Sequence, residues 1–179
     1  MSIRNRLGLR VKVALPFAIT ALALIVIVFF AVNTVRVLVS DTDLVADVYL
    51  PAVSEILNGD RDLYQALEAQ KNFVEVFGSG DEADEYVASY EENAQQAYDR
   101  FNQVVDRLQG TKVSEIAEGF EQAFSSWKAS ADEVLNQARN GNISEANEIA
   151  KSETRELFGN LLNYFDEAGE YADVQAHLL

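Results

Sequence analysis

The sequence predicts an all-α protein, a membrane-anchored four-helix bundle with antiparallel, up-down-up-down order. A run of 20 uncharged and mostly apolar residues, Val13–Val32, lies near the N-terminus. In the remaining chain, apolar residues recur at steps of three and four, which is the period of an amphipathic helix, and the alternation typical of a strand is missing. Glycine-containing turns of a few residues separate these stretches, and such short turns place consecutive helices antiparallel.

The apolar run is long enough to cross a membrane. A helix of this length measures about 30 Å, the thickness of the hydrocarbon core of a bilayer. Basic but no acidic residues precede the run, and such positive segments are retained in the cytoplasm. We therefore predict a cytoplasmic basic N-terminus at 1–12, a transmembrane helix at 13–32 and an extracytoplasmic domain at 33–179. The basic residues before the run are Arg4, Arg6, Arg10 and Lys12.

A cleaved signal peptide is the alternative interpretation of the same run. Signal peptides have an apolar core of about 7–15 residues, followed by a cleavage site with small residues. The run in this chain is longer, and Phe29-Phe30-Ala31-Val32-Asn33 does not provide such a site. We therefore favour a retained anchor.

The charge and composition exclude several function classes. The chain has 29 acidic and 14 basic residues, and its net charge is −15. All the acidic residues lie beyond residue 40, so we expect no nucleic-acid partner, because the phosphate backbone would be repelled. The chain has no cysteine, and its one histidine is His177. No nucleophile–base set, phosphate-binding loop or metal-ligand cluster is evident, and we predict no enzyme activity, no catalytic residues, no metal site and no cofactor.

The first helix of the bundle is predicted from Asn33 to Phe77. Pro51 removes a helical hydrogen bond, so we expect a kink near Asp47–Leu50 or a restart of the helix there. Residues spaced three and four apart form a line along this helix, which we call its seam. In the second half of the helix, the seam mixes small, polar and large residues, which is typical of a reversible dimer interface. That predicted interface consists of Leu63, Ala66, Gln70 and Phe73.

Three further helices follow, and each is predicted to be one long helix. Breaks are expected near Gly78–Gly80, Gly110 and Gly141. Ser79 with Glu82 forms a capping-box pattern at the start of the second helix, and Asn142 with Glu145 forms a similar start for the fourth. Six large side chains are expected to be largely buried between the helices: Phe120, Phe124, Trp127, Leu157, Leu161 and Tyr164.

Two segments of the first helix resemble a known family. The segment Asp60-Arg61-Asp62-Leu63-Tyr64-Gln65-Ala66 is similar to one in the first sensor helix of bacterial methyl-accepting chemotaxis receptors. The segment Tyr49-Leu50-Pro51-Ala52 resembles a Leu-Pro element that lies slightly earlier in the same helix. The layout of the whole chain, with an anchor followed by a bundle, also resembles the sensor region of this family. Histidine kinases with a similar bundle fit the same pattern and remain an alternative.

The resemblance implies a chemoreceptor sensor in the bacterial inner (plasma) membrane. It implies a homodimer in which the first helices pack together, and a small ligand bound between the first helix and the start of the fourth. The signal would pass through a small displacement of the fourth helix to a second membrane span. The cytoplasmic signalling region is not present in this chain, so we expect the chain to be a fragment of a longer receptor. A single-anchor helical stalk that binds a partner protein is the alternative from a different class.

The candidate ligand-binding residues lie on the first helix and at the start of the fourth. Three of those on the first helix are three or four residues apart and share one face. An arginine there can bind a carboxylate through two hydrogen bonds, so we expect the ligand to be an amino acid or organic acid. A solvated helix face is the alternative for the first-helix residues. The predicted ligand-binding residues are Arg61, Tyr64, Gln65, Glu68, Thr154 and Arg155.

Overall fold

The computed structural model of the chain describes residues 8–76 and 79–179. The described residues are helical apart from short connections and contain no β-strand, so the prediction of an all-α protein is confirmed. They form two compact units, which divide between Leu44 and Val45. Some predicted features lie outside the described residues, namely Arg4, Arg6, Phe77 and Gly78.

The first unit consists of helix α1, Leu9–Leu44. The large apolar side chains of α1 from Val11 to Leu44 are exposed. An 18-residue window has a mean hydropathy of 2.8, and none of it is buried. In the part of the chain that the structure describes, this is the one helix that is long and apolar enough to cross a membrane. The hydroxyl of Thr20 donates to the carbonyl oxygen of Pro16 at 2.9 Å, so this polar group needs no partner outside the helix.

The second unit begins with a π-helical segment, Val45–Tyr49, which is followed by α2, Leu50–Glu75. Pro51 lies in the first turn of α2 and has no backbone N–H, so it cannot donate the α-helical hydrogen bond to the carbonyl of Asp47, four residues earlier. A π-helical turn therefore lies where a kink or a restart of the helix was expected near Asp47–Leu50, and Tyr49, the residue before α2, keeps a helical backbone with φ −75° and ψ −45°. The guanidinium of Arg107 donates to the backbone carbonyl of Asp47 at 3.0 Å, which provides a partner for a carbonyl in the irregular turn.

Helix α3, Asp81–Arg107, begins directly after Gly80 and ends three residues before Gly110. The capping-box prediction for Ser79 and Glu82 is wrong, because the residue before α3 is Gly80, with φ +88°, and no side chain caps the helix. A backbone with positive φ suits glycine and leaves Ser79 one residue too early to act as the cap. The expected break at Gly110 is confirmed by its φ of +78°.

The predicted third helix is divided into α4, Lys112–Ile116, and α5, Phe120–Arg139. Gly119 lies between them with φ +92°, a left-handed backbone that cannot continue an α-helix. A Cβ atom at Gly119 would also lie 3.0 Å from the hydroxyl oxygen of Tyr164. The prediction of one continuous third helix is therefore wrong.

The predicted fourth helix is also divided, into α6, Ile143–Lys151, and α7, Glu153–Leu178. Ser152 separates them with φ −107° and ψ −91°, which is not a helical backbone. Asn142 precedes α6 as expected, but its side chain donates to Oε1 of Gln137 at 2.8 Å and does not cap the helix. The break near Gly141, where φ is +77°, is confirmed.

The core is rich in aromatic side chains, and the predicted helix phase is partly wrong in α7. Leu157 and Tyr164 are only half-buried, whereas their neighbours Phe158 and Phe165 are buried. The buried line of α7 steps by four and then three, from Thr154 to Phe158 and then to Leu161. The predicted line stepped by three and then four, from Thr154 to Leu157 and then to Leu161. The other four predicted core residues are buried: Phe120, Phe124, Trp127 and Leu161.

Helix α2 packs mainly against α3, and also against α7 and α5. The residues predicted to form a dimer interface belong to this internal packing. Their side chains are almost fully buried within one chain, so this seam is not free to contact a second copy: Leu63, Ala66, Gln70 and Phe73. The prediction of a dimer through these four residues is therefore wrong.

Candidate functional site

The exposed face of α2 holds most of the predicted ligand-binding residues. The side chains of the four predicted residues on α2 are exposed, namely Arg61, Tyr64, Gln65 and Glu68. On α7, Thr154 is fully buried and Arg155 is exposed. The structure therefore divides the predicted set into surface residues and one core residue.

Arg61 is already engaged by its neighbour Asp62. Its Nε and Nη2 donate to Oδ1 of Asp62 at 3.1 and 2.8 Å. The other carboxylate oxygen of Asp62 accepts from Nε of Arg100 on α3 at 2.7 Å, and Arg100 also donates to Glu55 at 2.7 Å. These charge-assisted hydrogen bonds hold the pKa of Arg100 above its usual value, with the bond to Asp62 as the main cause. The network joins α2 to α3.

Sequence reasoning missed the burial of Asp62, whose exposed fraction is 0%. Asp62 is three residues after Gly59 and four before Ala66, so it lies on the edge of the buried face of α2. A buried carboxylate requires charged or hydrogen-bonding partners, and here two guanidinium groups supply them. The guanidinium of Arg61 therefore binds a carboxylate, as expected of it, but this carboxylate belongs to the protein.

Thr154 faces the interior of the bundle. Its hydroxyl lies 2.8 Å from the hydroxyl of Ser130 on α5, and both residues are buried. One residue further along α5, the carbonyl oxygen of Ala131 accepts a hydrogen bond from Nε2 of Gln70 at 3.1 Å. These polar contacts connect α5 with α7 and with α2. The structure therefore gives Thr154 a partner within the core and not at the surface.

Gln65 and Glu68 lie on the side of α2 that is next to α3. They line a shallow groove of about 250 Å³ between these two helices. Tyr64 lies on another side of α2, where its ring packs edge-on against Phe158 of α7 with ring centroids 5.3 Å apart. The structure therefore does not bring the six predicted residues together into one cavity.

An apolar stripe runs along the exposed face of α2. Leu50, Leu57 and Tyr64 follow one another at intervals of seven residues, and their side chains are 55%, 65% and 51% exposed. Residues at this interval lie on one side of a helix and form the contact line of a coiled coil. Sequence reasoning placed the dimer contact on the neighbouring face of this helix. The heptad spacing of Leu50, Leu57 and Tyr64 is the signal that could have revealed the stripe.

A match to a known family covers nearly the whole chain. A family model described as a four-helix-bundle sensory module for signal transduction matches residues 6–179. The chain matches none of the curated proteins and none of the solved structures with which it was compared.

Proposed function

This chain belongs to the family of four-helix-bundle sensory modules of methyl-accepting chemotaxis proteins, and from that membership we propose that it is the sensor region of a membrane chemoreceptor. The family consists of sensory modules for signal transduction and not of catalytic domains. The proposed role is to bind a small ligand, an amino acid or organic acid, outside the cytoplasm and to pass a signal across the membrane.

The single observation that carries the membrane part of the proposal is the exposed apolar surface of α1. Lipid is the environment in which a helix with no charge between Val13 and Val32 can leave its apolar side chains exposed. We place this helix in the bacterial inner membrane with residues 1–12 in the cytoplasm and residues 33–179 outside it, since basic flanks are retained inside.

Contacts between α2 and α3 support the antiparallel order of the bundle. Asp47, at the start of the second unit, bonds to Arg107, whereas Asp62, further along, bonds to Arg100. Residue numbers thus fall on α3 as they rise from the π-helical segment into α2, which is the pattern of an antiparallel pair. The short turns that end at Gly80, Gly110 and Gly141 favour the same arrangement for the other helices.

A homodimer is part of the proposal, with the contact on a different face of the first bundle helix from the predicted seam. The stripe formed by Leu50, Leu57 and Tyr64 presents exposed apolar side chains at heptad spacing. A second copy of α2 is the occupant that matches this spacing, because two identical stripes pack against each other across a two-fold axis. The exposed residues Arg61, Gln65 and Glu68 would then lie beside the dimer contact.

The absence of cysteine makes the membrane orientation straightforward to test. Single cysteines replace Ser2 in the basic segment and Ser125, which is exposed on α5. In intact cells, a membrane-impermeant maleimide should label Ser125→Cys, whereas Ser2→Cys should react only after permeabilisation. Labelling of both positions in intact cells, or the opposite pattern, would refute the proposed orientation. Recovery of the unmodified chain in the soluble fraction would refute the anchor.

A further inference from the structure

A groove between the α4–α5 segment and α7 has the dimensions of a small-molecule site. Its volume is about 640 Å³, within the range of about 300–1,000 Å³ that is usual for such sites. Residues 115–126 and 157–167 supply its lining, so no part of α2 contributes to it. Small residues at steps of four and three, Gly119, Ala123 and Ser126, lie along one side of α5 and leave the space that forms the groove.

The polar side chains of this groove have free hydrogen-bonding groups. None of them forms a hydrogen bond or an ion pair with another side chain or with the backbone in the described part of the chain. By contrast, the amides of Asn93, Asn102 and Asn147 each donate to a backbone carbonyl four residues earlier. The free amides, hydroxyl and carboxylates of the groove belong to Gln122, Ser126, Asn160, Asn163, Glu115 and Glu167.

The charge of the groove excludes an anionic ligand. Glu115 of α4 and Glu167 of α7 are both exposed on its lining, and no basic residue accompanies them there. A carboxylate or phosphate would be repelled by these two groups and would find no cation to pair with. The groove therefore differs in chemistry from the exposed face of α2, where Arg61 lies.

The amides distinguish a neutral ligand from a cationic one. Each side-chain amide has an NH₂ donor as well as an oxygen acceptor, and an ammonium group can use only the acceptor. A sugar hydroxyl both donates and accepts, so it can pair with amide, hydroxyl and carboxylate groups alike. The C–H groups of a sugar ring also need apolar contacts. Ile116, Leu157 and Tyr164 are half-buried on the lining and can supply them.

We propose that this groove binds a neutral saccharide of one or two rings within a single protomer. Its hydroxyls exchange hydrogen bonds with the amides of Gln122, Asn160 and Asn163. They also donate to the carboxylates of Glu115 and Glu167, and the C–H face of the sugar covers the apolar part of the lining. The inference goes beyond the proposed function, in which the ligand is an amino acid or organic acid, and it gives the chain a second recognition site.

The test is isothermal titration of the full chain with D-glucose, D-galactose and maltose. The chain is held in micelles of lauryldimethylamine oxide, because a detergent with sugar groups would compete for the groove. We expect at least one of the three saccharides to bind in a ratio of one to each chain. Putrescine and succinate test the charge argument. Both should bind at least about tenfold more weakly than the best saccharide, because putrescine leaves the amide donors unpaired and succinate meets two carboxylates.

Variants of the lining residues locate the site. Asn160→Ala and Asn163→Ala should each weaken saccharide binding about tenfold or more, because each removes a donor and an acceptor. Alanine is a good helix former, so both variants should fold. Asn136→Ala makes the same change at an exposed position on α5 outside the groove, and it should leave the affinity unchanged. Ser126→Phe keeps every amide and carboxylate but fills the groove, and it should abolish binding while the helical circular dichroism signal is retained.

Three results would overturn the inference: no heat with any of the three saccharides, unchanged affinity in the Asn160→Ala/Asn163→Ala double variant, or putrescine binding as tightly as the best saccharide. None of these results depends on membrane orientation or on dimer formation, which are measured separately. A chain that is anchored and dimeric but does not bind saccharides would therefore refute the groove and leave the proposed function standing.

Discussion

Arg100 on α3 donates from Nε to Oδ2 of Asp62 on α2 at 2.7 Å, and the carboxylate that it binds is completely buried. Thirty-eight residues separate the two in sequence. Burial of a carboxylate is unfavourable by itself, so this pair stabilises the contact between α2 and α3 only while both partners are present. The pair makes the attachment of α2 to α3 depend on one charged contact as well as on apolar packing.

Removing Arg100 alone should destabilise the chain. Arg100→Ala leaves the buried Asp62 with only Arg61 as a partner, and we expect a loss of about 3 kcal/mol in the free energy of unfolding. The double variant Asp62→Leu/Arg100→Met removes both charges and should be more stable than Arg100→Ala alone. Arg155→Ala, at an exposed position, is the control and should change little. Urea unfolding followed by circular dichroism measures all three, and equal stability of Arg100→Ala and the parent chain would contradict the role of this pair.

Two helical glycines provide a matched pair of substitutions. A Cβ atom at Gly59 on α2 would lie 2.5 Å from Cε1 of Phe165, whereas a Cβ atom at Gly159 on α7 would have nothing within 4 Å. Alanine is the better helix former by about 1 kcal/mol, so Gly159→Ala should raise the melting temperature. Gly59→Ala should lower it, because overpacking of about 1–3 kcal/mol outweighs the gain in helix propensity. Melting temperatures that rise in both variants would show that α7 moves away from α2 without cost.

The turns were predictable because their cause is local. Gly80, Gly110 and Gly141 all have positive φ, a conformation that favours glycine whatever the rest of the fold does. The break at Ser152 was not predictable, because serine is tolerated within helices and the apolar pattern continues on both sides of it. Gly119 is a residue type that permits a helix break. The apolar seam nevertheless continues past it from Ile116 to Phe120, so the periodicity predicted no break there.

The candidate site was less predictable than the fold because it depends on contacts between helices. Arg61 looked free in the sequence, and only the packing of α2 against α3 shows that its neighbour Asp62 is buried and needs a cation. The polar residue Gln70 fitted the predicted seam, but its bond to Ala131 depends on a partner 61 residues away. Periodicity identifies which residues face the core, but it does not identify their partners.

The contact between α2 and α7 should depend on pH through Asp60. Burial, and to a smaller extent the carboxylate of Asp166, raise the pKa of Asp60 above its ordinary value. The native chain therefore holds this proton to a higher pH than the unfolded chain does, so the contribution of Asp60 to stability falls as the pH rises through the raised pKa. Asp60→Asn should raise the melting temperature at pH 7, and the difference from the parent chain should shrink as the pH is lowered.

The control for Asp60 is Asp99→Asn, which changes the same charge at an exposed position on α3. Melting temperatures of the three proteins between pH 4 and pH 8 give the comparison. A gain from Asp60→Asn that is the same at every pH, or that Asp99→Asn reproduces, would show that the effect is general charge reduction and not the titration of Asp60.

The apolar stripe on α2 should bring two chains together at Leu57. If two stripes pack across a two-fold axis, the same residue from each chain lies near that axis, and its cysteine variant can form a disulfide. In membranes treated with an oxidant, Leu57→Cys should therefore form disulfide-linked dimers, whereas Glu91→Cys, exposed on α3, should remain monomeric. Leu57→Glu should weaken association of the chain in detergent, because it adds a charge to each side of the contact. Added salt should strengthen association of the parent chain, since the region beyond residue 40 carries all 29 acidic residues and the two copies repel each other. Crosslinking of Glu91→Cys to the same extent as Leu57→Cys would place the contact elsewhere and refute the stripe as the dimer interface.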